Sequence, residues 1–296
     1  MTSDSLFSSV VFAGGGSRCV WQVGFWHEVA PAMNIKPDVV AGASAGASMA
    51  CILFAGREQF ALDYMKYATA ANPRNMYLRN LFNHESMFPH HRIYREALVT
   101  ALDRPALERL HQGPDIRVML ARAPAGFGPR SAVFAGFFSY ALEKKFRERV
   151  HPVLARKIGY RPEVVSVREC HSPESLADLL LASSCTPPVL PVMYRHGEPV
   201  LDGGLVDNVP VEAVAPDPGP TLVLLTRRYP LELMPSTPHR LYVQPSRPIE
   251  VFKWDYTSPK GLQDAYDLGR RDGEGFVAIY KSLGDEYTGR TEGDFQ

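Results

Sequence analysis

A serine flanked by glycines is the side chain in this sequence best suited to chemistry. Gly42-Ala43-Ser44-Ala45-Gly46 is a G-x-S-x-G pentapeptide. Its glycines permit the sharp turn that lifts a nucleophilic hydroxyl above the end of a strand. A helix that starts directly after Ser44 points its free N–H groups and the positive end of its dipole at the atom under attack. The alternative is a small-residue turn in which Ser44 only caps that helix.

A second glycine cluster, Gly14-Gly15-Gly16-Ser17-Arg18, supplies the groups that acyl transfer would also need. A developing oxyanion is stabilised by backbone N–H groups, and a glycine-rich loop offers them without obstructing side chains. Gly14 and Gly16 also begin like the dinucleotide fingerprint G-x-G-x-x-G. That fingerprint requires a third glycine at position 19, which is Cys19 here.

A candidate base is Asp202, which precedes Gly203 and Gly204 after a short apolar run. An isolated Asp-Gly is more often an Asx-type turn. A Ser-Asp-His triad would place His239 after Asp202. However, only 43 residues precede Ser44, too few for the strands that come before the elbow in α/β-hydrolases, and the other histidines lie in no comparable setting.

The predicted elements place these residues at strand ends. The segments 8–31 and 36–56 each predict a strand, a glycine turn and a helix, with the second strand at 38–41 and its helix at 45–54. Consecutive strand-helix units indicate parallel strands with helical crossovers. Further strands are predicted at 115–123, 163–167, 221–227 and 240–246, with a hairpin turning at His196-Gly197 and a helix at 262–283. We expect one domain over residues 1–296 and an α/β fold.

Bulk properties exclude several classes of protein. Lys plus Arg and Asp plus Glu both number 32, so no net field attracts nucleic acid. The four cysteines have no metal-ligand spacing, which predicts reduced, buried thiols. Residues 39–56 carry no charge, but their apolar residues are concentrated in two short runs, 39–41 and 49–55. Neither run is long enough to cross a membrane, so we do not expect a membrane span. The N-terminus does not read as a secretory signal, and the default location is cytoplasmic.

With GGGSR at 14–18, GASAG at 42–46 and DGG at 202–204, the sequence resembles the patatin-like phospholipases over about residues 10–214, while residues 215–296 carry no assigned role. The resemblance implies a three-layer α/β/α fold with a mostly parallel central sheet. It also implies a Ser–Asp dyad that hydrolyses lipid acyl esters without a cofactor or metal. Carried over by position, the nucleophile is Ser44, the base is Asp202, the oxyanion donors are Gly14, Gly15, Gly16 and Ala45, and the supporting residues are Gly42, Gly46, Arg18, Gly203 and Gly204. Cys19 departs from the family, which usually has glycine there.

Several alternatives stay open on sequence grounds. The chain can be a phospholipase A or lysophospholipase, a carboxylesterase or thioesterase for short acyl chains, or a catalytically silent lipid-binding protein. Arg18 can bind phosphate or brace the glycine loop, or it can be a solvated charge. Two stretches rich in aromatic and basic residues, 75–94 and 126–146, fit an acyl groove or peripheral membrane contact, although core packing plus a solvated helix face is the simpler interpretation. The sequence predicts no oligomeric state.

Overall fold

The computed structural model describes residues 5–82, 86–124, 150–151, 154–215 and 219–289. The strands are β1 (Ser9–Phe12), β2 (Val39–Ala43), β3 (Asp115–Arg122), β4 (Arg161–Ser166), β5 (Met193–Arg195), β6 (Glu198–Asp202), β7 (Thr221–Leu224) and β8 (Arg240–Val243). The α-helices are α1 (Val20–Ala32), α2 (Ala45–Phe54), α3 (Glu58–Ala70), α4 (His90–Ala101), α5 (Arg104–Gln112), α6 (Leu154–Lys157), α7 (Pro173–Ser183), α8 (Gly204–Asp207) and α9 (Pro259–Gly289). Short 3₁₀ helices lie at Gly16–Cys19, Leu78–Phe82, Val167–Glu169, Val211–Val214 and Leu231–Leu233.

The eight strands form one mixed sheet in which each strand along the path β5-β6-β3-β2-β1-β7-β8 is hydrogen-bonded to the next, and β4 also pairs with β3. β1, β2, β3, β7 and β8 run parallel, whereas β4 and β6 run antiparallel to β3. β5 and β6 form the predicted hairpin. Its turn residues His196 and Gly197 have φ values of 54° and 77°, which suit the tight turns that join twisted strands.

Helices and loops cover both faces of the sheet. Every residue of β1 and β7 is buried, as expected for central strands of a parallel sheet. Val10 and Phe12 belong to the core beneath α1, α2, α4, α5 and α7, while Val11 and Ala13 belong to the core beneath α8 and the Val211–Val214 turn. The predicted three-layer α/β/α fold with a mostly parallel central sheet is confirmed.

The C-terminal helix α9 packs closely against α1. A Cβ atom at Gly24 would lie 2.1 Å from the Tyr266 carbonyl oxygen, and one at Gly269 would lie 2.1 Å from the Trp21 carbonyl oxygen. The two backbones can therefore approach only because both positions are glycine. The Trp21 Nε1–H donates to Asp272 Oδ2 at 2.7 Å. Residues after 215 thus contribute β7, β8 and α9 to the same sheet and core.

The observed elements agree with the predicted ones around Ser44 and differ in the exposure of one aromatic stretch. The helix predicted at 45–54 is α2, and β2 runs two residues beyond the predicted strand. Within the first aromatic stretch, Met76, Leu78 and Phe82 are 45, 59 and 90% exposed, so these three side chains do not pack in the core. The second stretch, 126–146, lies outside the described residues. In the described part of the chain, no helix combines the length and apolarity that a membrane span needs.

Candidate active site

Ser44 occupies a sharp elbow between β2 and α2. Its φ of 54° and ψ of −137° are unusual for a residue with a side chain and store backbone strain. The flanking glycines make the elbow possible. A Cβ at Gly42 would lie 2.5 Å from the Ala47 Cα. A Cβ at Gly46 would lie 2.5 Å from the carbonyl oxygens of both Phe12 and Ala13.

The Ser44 hydroxyl contacts the predicted base. Ser44 Oγ donates to Asp202 Oδ2 at 3.0 Å, and the two residues are 2 and 8% exposed. The Ser44 side chain makes no capping hydrogen bond to α2, although the residue occupies the N-cap position. Asp202 Oδ1 accepts the Gly204 N–H at 2.8 Å, so this aspartate forms an Asx-type turn and contacts the serine at the same time.

The register of β3 explains why two residues so far apart in sequence meet. β4 pairs along one edge of β3 from Arg117 to Arg122. β2 pairs up to Met119, which faces Ala43, and β6 begins where β2 stops, with Leu120 facing Asp202. Since β4 overlaps both, β2 and β6 must share the opposite edge, end to end. The residue that follows β2 therefore lies beside the last residue of β6.

Two hydroxyl groups that sequence reasoning missed hold the pair in place. Ser183 Oγ accepts the Ser44 N–H at 2.8 Å and donates to the Met119 carbonyl oxygen at 2.7 Å. Thr186 Oγ1 lies 3.2 Å from Asp202 Oδ2 and 2.9 Å from the Ser184 carbonyl oxygen, so these two acceptors share its single proton. Both hydroxyls lie in the run ASSCTPPVLPV at 182–192, but nothing in the sequence assigned either of them a role.

The glycine loop lies next to Ser44. The Gly14 N–H donates to the Asn208 carbonyl oxygen at 2.9 Å, and the Gly14 carbonyl oxygen accepts from Asn208 Nδ2 at 2.9 Å and from Thr226 Oγ1 at 2.7 Å. Gly14 therefore anchors the loop, and its N–H is already engaged. Within the described residues, the N–H groups of Gly15, Gly16 and Ala45 have no acceptor, which leaves them as the candidate oxyanion donors.

The remaining predicted residues support this geometry. Arg18 Nε donates to the Gly15 carbonyl oxygen at 3.4 Å, which braces the loop. A Cβ at Gly203 would lie 2.1 Å from the Met119 carbonyl oxygen, and one at Gly204 would lie 2.8 Å from Asn208 Oδ1, so the turn after Asp202 requires glycine at both positions.

Cys19, the departure from the family pattern, fits its position as a buried thiol. It is fully buried and its Sγ lies 3.5 Å from the Ala13 carbonyl oxygen. Burial raises the pKa of the Cys19 thiol to about 12, so the group is uncharged at neutral pH. An uncharged thiol is a poor nucleophile.

A segment from the C-terminal part of the chain supports the same loop. The Ser17 N–H donates to the Lys253 carbonyl oxygen at 3.0 Å, and Ser17 Oγ donates to the Asp255 carbonyl oxygen at 3.0 Å. A Cβ at Gly16, whose φ is 60°, would lie 2.1 Å from that Lys253 oxygen. Residues 253–255 thus fix the conformation of the loop that carries the candidate donors.

An apolar cavity of about 70 Å³ opens beside the glycine loop and the start of α2. Gly16, Ser17 and Ala45 line it at the loop end. Its apolar wall includes Met49, Ile52, Leu62, Met65, Leu98 and Leu262. We name this space the acyl cavity, because it is largely apolar and Ala45, the residue after Ser44, lines it.

Other candidate chemistry is not assembled around Ser44. His239 is exposed and immediately precedes β8, and its carbonyl oxygen accepts the N–H of the first residue of β7. That is the amino end of the parallel strands, opposite to Ser44, so His239 does not complete a triad. In the described ranges, no three His, Cys, Asp or Glu side chains come together as a metal site requires.

Comparison with known proteins agrees with this geometry. The family model for patatin-like phospholipase matches residues 10–215. A search of curated proteins found no match. The match contains the glycine loop, the elbow and Asp202, and it extends over most of the chain. The chain therefore belongs to the patatin-like phospholipase family.

Proposed function

We propose that this protein is a serine lipid acyl hydrolase of the phospholipase A or lysophospholipase type, which cleaves fatty acyl esters through a Ser44–Asp202 dyad. Family membership supports lipid acyl hydrolysis in general. The observation that supports the dyad is the 3.0 Å hydrogen bond from Ser44 Oγ to Asp202 Oδ2, beside unengaged N–H groups at Gly15, Gly16 and Ala45.

In the first half-reaction, Asp202 Oδ2 accepts the hydroxyl proton as Ser44 Oγ attacks the ester carbonyl carbon. The carbonyl oxygen becomes an oxyanion and accepts hydrogen bonds from the loop and from Ala45. When the tetrahedral intermediate collapses, the ester bond breaks and the proton on Asp202 passes to the leaving alcohol. The product is an acyl ester of Ser44.

In the second half-reaction, Asp202 takes a proton from water as the water oxygen attacks the acyl carbon. Collapse of the second intermediate releases the fatty acid and returns the proton to Ser44 Oγ. The Gly204 N–H holds Asp202 Oδ1 at 2.8 Å and Thr186 Oγ1 lies 3.2 Å from Oδ2, so Oδ2 stays directed at the serine. Ser183 holds the Ser44 N–H away from the oxyanion, which is why the Ala45 N–H takes that role.

A second candidate, hydrolysis of short acyl esters or thioesters by the same dyad, is favoured by the size of the acyl cavity. Its volume of about 70 Å³ is well below the roughly 300–1,000 Å³ of ordinary ligand pockets. A long chain would fit only if the wall moved. A series of p-nitrophenyl esters of increasing chain length separates the two candidates, because the second predicts a steep loss of kcat/KM beyond short chains.

The test is incubation with a defined phospholipid and a lysophospholipid, with released fatty acid measured by mass spectrometry. We expect release by the wild type and loss of at least about 100-fold in Ser44→Ala and Asp202→Asn, the range in which general base catalysis contributes. Asp38→Asn, at the exposed opposite end of β2, is the matched control and should keep wild-type activity. Absence of release and of ester turnover by a folded wild type would favour a silent lipid-binding protein.

A further inference from the structure

A cluster of large apolar side chains is exposed between residues 67 and 82. Tyr67, Met76, Leu78 and Phe82 are 75, 45, 59 and 90% exposed. Single exposed apolar residues are common on soluble proteins, whereas a group of them usually marks an interaction site. Together with Arg74 and Arg79, we call these side chains the aromatic patch.

The segment that carries the aromatic patch contains basic residues and no acidic ones, and two carboxylates lie next to it. Asp63 Oδ1 is 3.9 Å from Lys66 Nζ, and Asp255 Oδ1 accepts from Asn75 Nδ2 at 3.3 Å. Residues 64–82 contain Lys66, Arg74 and Arg79 and no Asp or Glu, although the whole chain has no net charge. Arg74 and Arg79 are exposed, and neither forms an ion pair with a carboxylate in the described part of the chain. The Arg79 guanidinium lies 5.9 Å from the centre of the Tyr77 ring, an exposed cation–π contact that leaves its charge open to an anion. Exposed aromatic and aliphatic side chains beside such cations complement a membrane surface that carries anionic headgroups.

The segment that carries the aromatic patch is anchored to residues that line the acyl cavity. Helix α3 places Leu62 and Met65 in that wall. After α3, Asn72 Nδ2 donates to the Tyr256 carbonyl oxygen at 2.8 Å, and the Tyr256 N–H donates to Asn75 Oδ1 at 2.8 Å. Tyr256 also lines the acyl cavity. A surface that contacts lipid at this patch would therefore bring lipid next to the proposed acyl site.

We propose that the aromatic patch docks the protein onto an anionic lipid surface, with Leu78 and Phe82 entering the headgroup boundary and Arg74 and Arg79 contacting the headgroups. The biological use of this surface rests on the proposed function, because docking would deliver lipid esters to Ser44. Binding itself does not depend on catalysis, so it can be measured in Ser44→Ala.

The experiment is flotation with vesicles of phosphatidylcholine alone and of phosphatidylcholine mixed with phosphatidylglycerol. We expect Ser44→Ala to float with the anionic vesicles and to dissociate from them at high salt. Arg74→Gln/Arg79→Gln in the same background should weaken binding about 25-fold, at about fivefold for each charge removed near an anionic surface. Leu78→Ser/Phe82→Ser should weaken binding to both kinds of vesicle.

Leu231→Ser/Ile279→Ser is the matched control, since these side chains are 78 and 64% exposed outside the patch, and it should float like its parent. All variants should retain the melting temperature and, with Ser44 restored, turnover of a monomeric soluble ester. If the wild type does not turn over this ester, the proposed function is refuted, while the docking proposal is unaffected. Three results would each overturn the docking proposal. The first is equal binding to neutral and anionic vesicles, and the second is unchanged binding of both patch variants. The third is that no form floats and that the wild type is a dimer which the patch variants dissociate.

Discussion

Replacing Ser183 by alanine removes the hydroxyl that holds the backbone of the nucleophile. Ser183 is fully buried, and its Oγ links the Ser44 N–H, at 2.8 Å, to the Met119 carbonyl oxygen, at 2.7 Å. Alanine leaves one donor and one acceptor unpaired where solvent does not reach. It also removes a restraint from the strained elbow, while the hydroxyl of Ser44 and the carboxylate of Asp202 stay in the chain.

The size of the effect follows from these contacts. A buried polar group left without a partner costs about 1–3 kcal/mol, so the two groups together should lower the free energy of unfolding by about 2–6 kcal/mol. The positive φ of Ser44 represents a further strain of roughly 1–3 kcal/mol, which the surroundings must hold in place. If the elbow relaxes by about 1 Å, kcat should fall by up to about 100-fold.

The assay combines urea unfolding with kcat on a soluble ester. Ser48→Ala is the matched control, because Ser48 is also fully buried and its hydroxyl contacts the Tyr94 hydroxyl at 2.5 Å instead of the dyad. It should lose less stability and keep a kcat close to that of the wild type. A Ser183→Ala protein with wild-type kcat and a change in unfolding free energy below about 1 kcal/mol would refute the assignment of Ser183 as the support of Ser44.

Three further outcomes follow from burial and close packing. Gly46→Ala should abolish folding or ester turnover, because its Cβ would lie 2.5 Å from backbone oxygens. Gly275→Ala is the comparison, because its Cβ would meet no atom within 4 Å, and it should raise the unfolding free energy measured by chemical denaturation by about 1 kcal/mol. The four cysteines are buried free thiols whose pKa values are raised by burial. Ellman's reagent at pH 8 should therefore react slowly with the native protein and should titrate four thiols after denaturation. Fast labelling of the native protein would contradict this. Burial lowers the pKa of His90, so the unfolded chain binds a proton at this residue at a higher pH than the native chain does. The unfolding free energy should therefore fall as pH drops below about 6.5. An equally steep fall in His90→Gln would contradict this.

The local parts of the candidate site were predictable from sequence. Short-range patterns specify the strand, elbow and helix around Ser44, because glycines at 42 and 46 and the apolar run after them leave few other conformations. The position of Asp202 at a strand end is local in the same sense. That these two residues meet depends on the register of β3, for which the sequence offered only the family resemblance.

The parts that were not predicted depend on contacts between distant segments. Ser183 reaches Ser44 only because α7 packs beside β3, and a serine at a helix end has no distinctive local pattern. The support of Ser17 by Lys253 and Asp255 joins segments more than 230 residues apart, so residues beyond 215 seemed to carry no role. Gly14 was predicted to be an oxyanion donor, but its N–H donates to the carbonyl oxygen of Asn208, a residue distant in sequence.

The central claim is that Asp202 activates Ser44 directly. It is tested by the rate at which a fluorophosphonate forms a covalent adduct, followed by intact mass and located by peptide mapping. The account predicts one adduct, on Ser44, that forms at least about 100-fold more slowly in folded Asp202→Asn. An Asp202→Asn protein labelled at the wild-type rate, or an adduct on a residue other than Ser44, would contradict it.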